Sequence, residues 1–162
     1  MRRSWKALTI TAAVLLISLG VMTLASASNN STTVDTTTVL HLVHKRVQTT
    51  DLDLGQTGPS QGDQMVFADD VFRKGKKVGT AGGACTATRV TPSAIQYHCQ
   101  ASVRLPEGQL SGQLLASTSQ KTLTYAITGG TGAYRDAGGY AKIPNTQSTT
   151  YPVTIFVDHL GR

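Results

Sequence analysis

The stretch GTAGGACTATRVTPSAIQYHCQASVRL, residues 79–105, decides the fold because it has the pattern of a β-hairpin. Its second half, residues 95–105, alternates apolar and polar side chains, which is the period of a strand with one buried face. If the chain folds back antiparallel about Pro92, Cys85 lies opposite Cys99, since each is seven residues from the turn. We therefore predict an antiparallel hairpin centred on Pro92.

The same register predicts which side chains share the apolar face of the hairpin. Small residues meet large ones there, as in a curved and closely packed sheet. The predicted pairs are Cys85 with Cys99, Ala87 with Tyr97, Gly83 with Ala101, and Ala81 with Val103. A disulfide between the two cysteines would stabilise the fold by about 3 kcal/mol in the chain-entropy model. Two buried free thiols are the alternative.

The first 27 residues are predicted to be an export signal. Three basic residues within positions 2–6 precede a mostly apolar run at 7–24, and an A-x-A cleavage motif follows at 25–27. Cleavage there leaves 135 residues, enough for one domain, and a secreted protein without a stable membrane anchor. An uncleaved anchor is the alternative, although the apolar run is barely long enough to span a bilayer.

The charge of the chain does not indicate nucleic-acid binding. The formal net charge is +6, but the signal carries three of the 15 basic residues and none of the nine acidic ones, so the mature protein is near +3. Much of that excess is a cluster around Gly75, at Arg73, Lys74, Lys76 and Lys77, which is typical of a solvated hairpin tip. Nucleic-acid binding would require a basic surface interleaved with aromatic side chains.

After a polar, Ser/Thr-rich leader at residues 28–38, the remainder, 39–162, is predicted to form one all-β domain. It contains eight short strand-like runs separated by glycine-rich turns: 39–49, 64–72, 78–90, 94–105, 109–117, 122–128, 137–143 and 150–160. This pattern indicates an antiparallel barrel or sandwich. We favour an eight-stranded barrel, because closure removes exposed edges and leaves room for one small ligand.

Three segments carry a resemblance to a known superfamily. They are GDQMVF at 62–67, VGTAGGAC at 78–85 and LTYAITGGTGAYR at 123–135, with AITGGTGAY at 126–134 the most telling piece. Their order and spacing resemble the allene oxide cyclase and dirigent protein superfamily. More narrowly, the chain is similar to small secreted bacterial proteins with an allene-oxide-cyclase-barrel-like domain.

The resemblance implies an eight-stranded antiparallel barrel, commonly a homotrimer, whose hydrophobic lumen binds a small hydrophobic molecule. It also implies that no metal and no organic cofactor is needed. Members of the superfamily hold unstable or radical intermediates and steer their cyclisation or coupling, so catalysis is largely a matter of conformation. Polar groups in the lumen would stabilise developing charge.

Most of the functional residues of plant allene oxide cyclases have no match at the corresponding positions of this chain. Their first strand bears a glutamate and an asparagine, whereas residues 39–47 here contain His41, His44, Lys45 and Arg46 and no carboxylate. The Phe-Thr-Asn of their second strand reads Phe-Ala-Asp at 67–69, and their lumen cysteine matches Cys85. We therefore expect this chain to share the barrel architecture of the allene oxide cyclases but not to catalyse the allene oxide reaction.

Asp69 is the candidate catalytic residue. It shares a strand face with the apolar Met65, Phe67 and Val71. If that face lines the lumen, desolvation should raise the pKa of Asp69 and suit it for proton transfer. The alternative is a strand-end carboxylate that reaches water or pairs with a cation of the 73–77 cluster.

Three aromatic side chains, Phe67, Tyr97 and Tyr125, are the candidate ligand contacts, with core packing as the alternative. No metal site is predicted. His41 and His44 are three residues apart and lie on opposite faces of a strand, so they cannot share an ion.

Three functions remain open from sequence. The first is a cofactor-free barrel that binds a small hydrophobic molecule and directs its cyclisation or coupling. The second is a non-catalytic, lipocalin-like carrier, and the third is a structural cell-envelope module. An open lumen with a buried ionisable group favours the first, a purely apolar open lumen the second, and a filled lumen the third.

Overall fold

The protein is an eight-stranded antiparallel β-barrel in a computed structural model that describes residues 36–159. The strands follow one another around the barrel in sequence order, and β8 closes it by pairing with β1. Their bounds are β1 Thr36–Leu52, β2 Gln64–Arg73, β3 Lys76–Val90, β4 Ile95–Leu105, β5 Gly108–Ser117, β6 Thr122–Gly130, β7 Ala137–Pro144 and β8 Thr150–His159. A single 3₁₀ turn, Gly132–Tyr134, joins β6 to β7. The predicted fold class is confirmed.

The hairpin of β3 and β4 has the predicted register. Cys85 pairs with Cys99 and forms the disulfide, and Ala87, Gly83 and Ala81 pair with Tyr97, Ala101 and Val103 as expected. A bulge between Ala87 and Arg89 shifts the pairing only next to the turn. The alternation of β4 therefore fixes which residues face the interior.

The largest errors in the predicted strand bounds are in the first strand, which ends at Leu52 rather than at residue 49. The first strand begins at Thr36 rather than Val39, because Thr37 and Thr38 pair with Asp158 and Val157 of β8. The end of the predicted 28–38 leader is thus part of the barrel wall, since threonine is as well suited to a strand as to a loop. The predicted export signal lies outside the described residues. No helix between residues 36 and 159 is long and apolar enough to cross a membrane.

The two ends of the barrel differ. At the end where β2 turns into β3, β4 into β5 and β6 into β7, the interior is filled by side chains that are almost fully buried: Val71, Leu105, Leu110, Tyr134, Ala137 and Val157. The other end carries the β1–β2, β3–β4, β5–β6 and β7–β8 connections. This second end leads to the cavity described below.

Gly139 in β7 allows a close approach between β7 and β8. Its φ of +107° lies in the left-handed region, and a Cβ built on it would be 2.1 Å from the carbonyl oxygen of Phe156. A Cβ built on the adjacent Gly138 would have no atom within 4 Å. The two neighbours therefore make a matched pair for testing the barrel closure.

We expect Gly139→Ala to lower the free energy of unfolding by about 2 kcal/mol or more, through overpacking and backbone strain. Gly138→Ala should change it by less than about 0.5 kcal/mol. Urea denaturation of both variants measures the difference. Equal stabilities of the two variants would contradict the described β7–β8 contact.

Candidate active site

A cluster of four polar side chains lies on the inner face of three adjacent strands, β8, β1 and β2. Arg46 of β1 is directly opposite Asp69 of β2, and His44 of β1 is directly opposite Tyr151 of β8. The inward direction of His44 and Arg46 follows from the alternation of β1, in which Leu42 is also buried. We call these four residues, His44, Arg46, Asp69 and Tyr151, the Asp69 cluster.

Asp69 is at the centre of the cluster and is 1% exposed. Arg46 Nε donates to its Oδ1 at 2.6 Å, and its Oδ2 accepts from the Tyr151 hydroxyl and lies 3.2 Å from His44 Nδ1. The carboxylate is therefore saturated with donors. The alternative placements, at a strand end or beside the 73–77 cations, are wrong, and it is the outward-facing neighbour Asp70 that pairs with Lys77 at 2.6 Å.

The predicted rise in the pKa of Asp69 is also wrong. Burial does raise the pKa, but the hydrogen bonds from His44, Tyr151 and Arg46 and the charge of Arg46 together lower it below the ordinary value. An aspartate held ionised in this way is a weak proton acceptor. It is suited instead to fix the orientation of the groups that bind it.

Arg46 is held by contacts on several sides. Its guanidinium carbon lies 4.6 Å from the centre of the Phe67 ring, and Nη2 donates to the Tyr151 hydroxyl at 3.0 Å. Among residues 36–159, no hydrogen-bond partner is found for Nη1. Arg46 is therefore a fixed cation with one donor nitrogen uncommitted.

His44 has one nitrogen occupied and one vacant. Because Asp69 is ionised and can only accept, Nδ1 carries the proton that it donates. Nε2 is buried and makes no hydrogen bond within the described part of the chain. Such orphaned buried atoms are rare in folded proteins, and each calls for an explanation.

The Asp69 cluster borders a cavity of about 540 Å³ inside the barrel. Most of the inner wall is apolar, and it includes Met65, Phe67, Ala81, Ala101, Val103, Leu123, Ile127, Ala141, Ile143, Val153 and Ile155. Toward the open end the lining changes to hydroxyl and amide side chains of the β7–β8 connection, residues 145–149, which are exposed. The cavity is thus an apolar chamber with a polar mouth, large enough for a small organic molecule.

The structure places all of the candidate ligand contacts on this cavity. Phe67 lies under the Arg46 guanidinium, and Tyr97 is near the mouth at the start of β4. Tyr125 lies deeper, and burial, aided by the charge of Asp69 and opposed by that of Arg46, raises its pKa to about 12. Tyr125 is therefore a neutral hydroxyl at all ordinary pH values.

The disulfide Cys85–Cys99 also forms part of the cavity wall, with both cysteines buried. Within residues 36–159, no group of three or more His, Cys, Asp or Glu side chains could hold a metal ion. His41 and His44 lie on opposite faces of β1 as predicted, His41 exposed and His44 buried.

Sequence reasoning missed three members of the Asp69 cluster, namely His44, Arg46 and Tyr151. The spacing of His41 and His44 addresses only metal binding, and the alternation of residues 150–160 makes Tyr151 one more side chain on an apolar strand face. A usable signal was present in β1, where His44 and Arg46 continue the buried face of Leu42. When two successive positions on the apolar face of a strand are both polar, they indicate an internal polar site.

The comparisons with known proteins agree with the barrel fold. Residues 43–156 match the family model described as the allene oxide cyclase barrel like domain, which is more than half of the chain. The chain belongs to this family. No curated protein matches the sequence of this family member.

This allene-oxide-cyclase-like barrel is also similar to several solved structures. A pyocyanin demethylase is 30% identical with a TM-score of 0.70, over 74% of this chain and 99% of that one. A pterocarpan synthase dirigent protein is 23% identical with a TM-score of 0.58, over 79% of this chain and 87% of that one. An exo-specific intermolecular Diels-Alderase is 12% identical with a TM-score of 0.62, over 76% of this chain and 98% of that one. The last two show the shared fold only.

Proposed function

We propose that this barrel binds a small, largely apolar molecule in its lumen and uses the Asp69 cluster to direct the isomerisation, cyclisation or coupling of that molecule. The single observation that carries the proposal is the buried cluster of ionisable groups beside an open apolar cavity. Burying a charged group costs several kcal/mol unless it is compensated, and a group of ionisable side chains in a cleft favours a functional site.

The geometry favours catalysis over the other two functions. A carrier for a hydrophobic molecule needs no ion pair in its lumen, and the pair of Arg46 with Asp69 would only oppose an apolar guest. A structural module would have its interior filled by its own side chains, whereas only one end of this barrel is filled. A preorganised cation and hydrogen-bond donors in a largely apolar chamber can stabilise charge that develops during a reaction.

The relative with the highest identity among the structures above supports the same proposal. It is described as a demethylase of pyocyanin, and the two chains share 30% identity across nearly all of that protein. A relative that carries out chemistry on a small molecule favours an enzyme over a carrier. We do not carry its substrate over to this chain.

Filling the lumen should remove ligand binding. Ala101 faces the cavity from the middle of β4, while Ala126 of β6 is exposed on the outer face. We expect Ala101→Phe to abolish uptake of any lumen ligand and Ala126→Phe to leave it unchanged, because only the first side chain occupies the chamber. Isothermal titration or native mass spectrometry measures uptake, and retained uptake by Ala101→Phe would place the ligand elsewhere.

Turnover is tested with molecules extracted from the protein as purified from its own culture medium. Each extracted molecule is incubated with the wild type and with Ala101→Phe, and the products are separated on a chiral column. The proposal expects a product of defined stereochemistry with the wild type only. Identical product mixtures in both samples would reject catalysis in the lumen.

We further propose that the mature protein is secreted and forms a homotrimer. Secretion is supported by the Cys85–Cys99 disulfide, which is typical of oxidising compartments. Self-association is supported by an apolar row on the outer face, where Tyr140 stacks on Phe156 at 4.7 Å and Phe156 pairs with the exposed Val39.

A further inference from the structure

We propose that the hydroxyl of Tyr125 donates a hydrogen bond to a carbonyl oxygen of the lumen ligand, so that the barrel selects an apolar molecule that carries a carbonyl group. This inference rests on the proposed function and names the class of molecule that the lumen takes. It gives Tyr125 a specific role, as the donor that orients the ligand and polarises its carbonyl group, beyond a general contact with an apolar guest.

The Tyr125 hydroxyl is both uncommitted and reachable from the cavity. Tyr125 lines the cavity and is 7% exposed, and within residues 36–159 its hydroxyl makes no hydrogen bond. In this part of the chain, the buried side-chain atoms that lack a partner and are also sealed from the surface belong to His44 and Arg73. The Tyr125 oxygen is not among them. It therefore keeps some surface that a ligand in the cavity can touch.

The strands on either side explain why no protein group takes this hydroxyl. On one side Tyr125 pairs with Ala141 of β7, whose methyl group offers no acceptor. On the other side, the pairing of β6 with β5 ends at Ala126, one residue away. Beyond that point β5 follows β4 as far as Ser117, and β6 follows β7 as far as Thr122. Neither neighbouring strand presents a partner, so the acceptor is left to the ligand.

The charges around Tyr125 make its hydroxyl a donor that keeps its proton. Burial raises the pKa of Tyr125 to about 12, with the charge of Asp69 adding to the rise and that of Arg46 opposing it. The strongest acceptor of the chamber, the Asp69 carboxylate, is already engaged by the rest of the Asp69 cluster. A ligand hydroxyl would thus find no free carboxylate, whereas a ligand carbonyl finds a free donor.

A hydrogen bond at this position would also serve the proposed chemistry. It draws electron density toward the carbonyl oxygen and makes a neighbouring carbon–carbon double bond more reactive in isomerisation or cyclisation. The proton stays on Tyr125 throughout, so no bond to hydrogen is broken. The apolar wall of the cavity holds the remainder of the molecule.

The test uses two probes of the same shape, 2-acetylnaphthalene and 2-isopropenylnaphthalene, which differ in having a C=O or a C=CH₂ group. Each is titrated into the full mature protein and into Tyr125→Phe. We expect the substitution to weaken binding of the ketone about threefold to tenfold, which is the usual net effect of one hydrogen bond between neutral groups. Binding of the alkene should stay the same, because the ring at position 125 is retained.

The infrared spectrum of the bound ketone gives a second measurement. Its carbonyl stretch should lie below the frequency found in hexane, and it should move back toward that frequency in Tyr125→Phe. Tyr140→Phe is the matched control, since Tyr140 lies on the outer face of β7 and stacks on Phe156. It should change neither the affinity nor the frequency. Because the Tyr125 hydroxyl has no partner in residues 36–159, its removal should not lower the stability of the barrel.

Three results would overturn the inference and leave lumen binding intact. They are a ketone affinity that Tyr125→Phe does not change, an equal loss of affinity for both probes, and a carbonyl stretch at the hexane frequency. Binding of neither probe to the wild type also overturns it. The turnover assay and Ala101→Phe then judge the proposed function separately.

Discussion

Replacing Asp69 by asparagine should reduce kcat about a hundredfold or more, with a much smaller change in the ligand dissociation constant. The carboxylate accepts hydrogen bonds from Arg46 and Tyr151 and aligns the His44 ring. An amide cannot accept from all three and cannot balance the guanidinium. The reacting groups would therefore lose their orientation, while the apolar wall that binds the ligand is unchanged.

The same substitution should lower the free energy of unfolding by about 3 kcal/mol, because it leaves a partly buried guanidinium without its counter-ion. Asp70→Asn is the matched control. Asp70 is the next residue on β2, faces outward and pairs with the exposed Lys77, so its loss should cost less than about 1 kcal/mol and leave kcat unchanged. Equal effects of the two substitutions on kcat would reject the role of Asp69.

The pH dependence of stability gives Asp69→Asn a second measurable signature. The pKa of Asp69 is lower in the folded protein than in the unfolded chain. Its contribution to stability is therefore present above about pH 3.9, the unfolded value, and is lost as the pH falls through the folded pKa. Urea unfolding between pH 6 and pH 2 should show a smaller loss of stability in Asp69→Asn than in the wild type.

Loss of the Cys85–Cys99 disulfide should lower the free energy of unfolding by about 3 kcal/mol, because the bridge closes a loop between residues 14 apart in sequence. It should also loosen the wall of the cavity, since both cysteines line it. We expect the protein refolded in reductant to unfold at a lower urea concentration than the oxidised protein.

The double variant Cys85→Ala/Cys99→Ala provides the control for this prediction. Its stability should be low and should not change with reductant. Because both cysteines are buried, the wild type must be reduced while unfolded and then refolded. Two free thiols in the exported wild-type protein, or a stability that reductant does not alter, would contradict the bridge.

The barrel was predictable because its strands alternate in burial and are separated by turn residues. In β4 the face that is apolar in the sequence is the face that is buried in the structure. The register of the hairpin with β3 followed from the position of Pro92 in the turn. Thr36–Thr38 show the limit of this reasoning. Their place in β1 depends on pairing with β8, more than a hundred residues away, which local pattern does not reveal.

The candidate site was only partly predictable. The apolar neighbours of Asp69 on β2 indicated an inward carboxylate, and the structure places it in the lumen. Its partners come from β1 and β8, and their identity depends on the barrel register that sets Arg46 opposite Asp69 and His44 opposite Tyr151. The direction of the pKa shift depends on these partners, so burial alone predicted the wrong sign.

A native mass spectrum of the mature protein, purified from its own culture medium, decides whether the barrel lumen holds a small molecule. We expect a mass that exceeds that of the protein by a small adduct, or uptake of such an adduct from a panel of phenols and lipids. Both should be lost in Ala101→Phe. Three chains in the complex would support the homotrimer at the same time. A spectrum without adduct, together with no uptake from the panel, would contradict ligand binding in the lumen and favour a purely structural barrel.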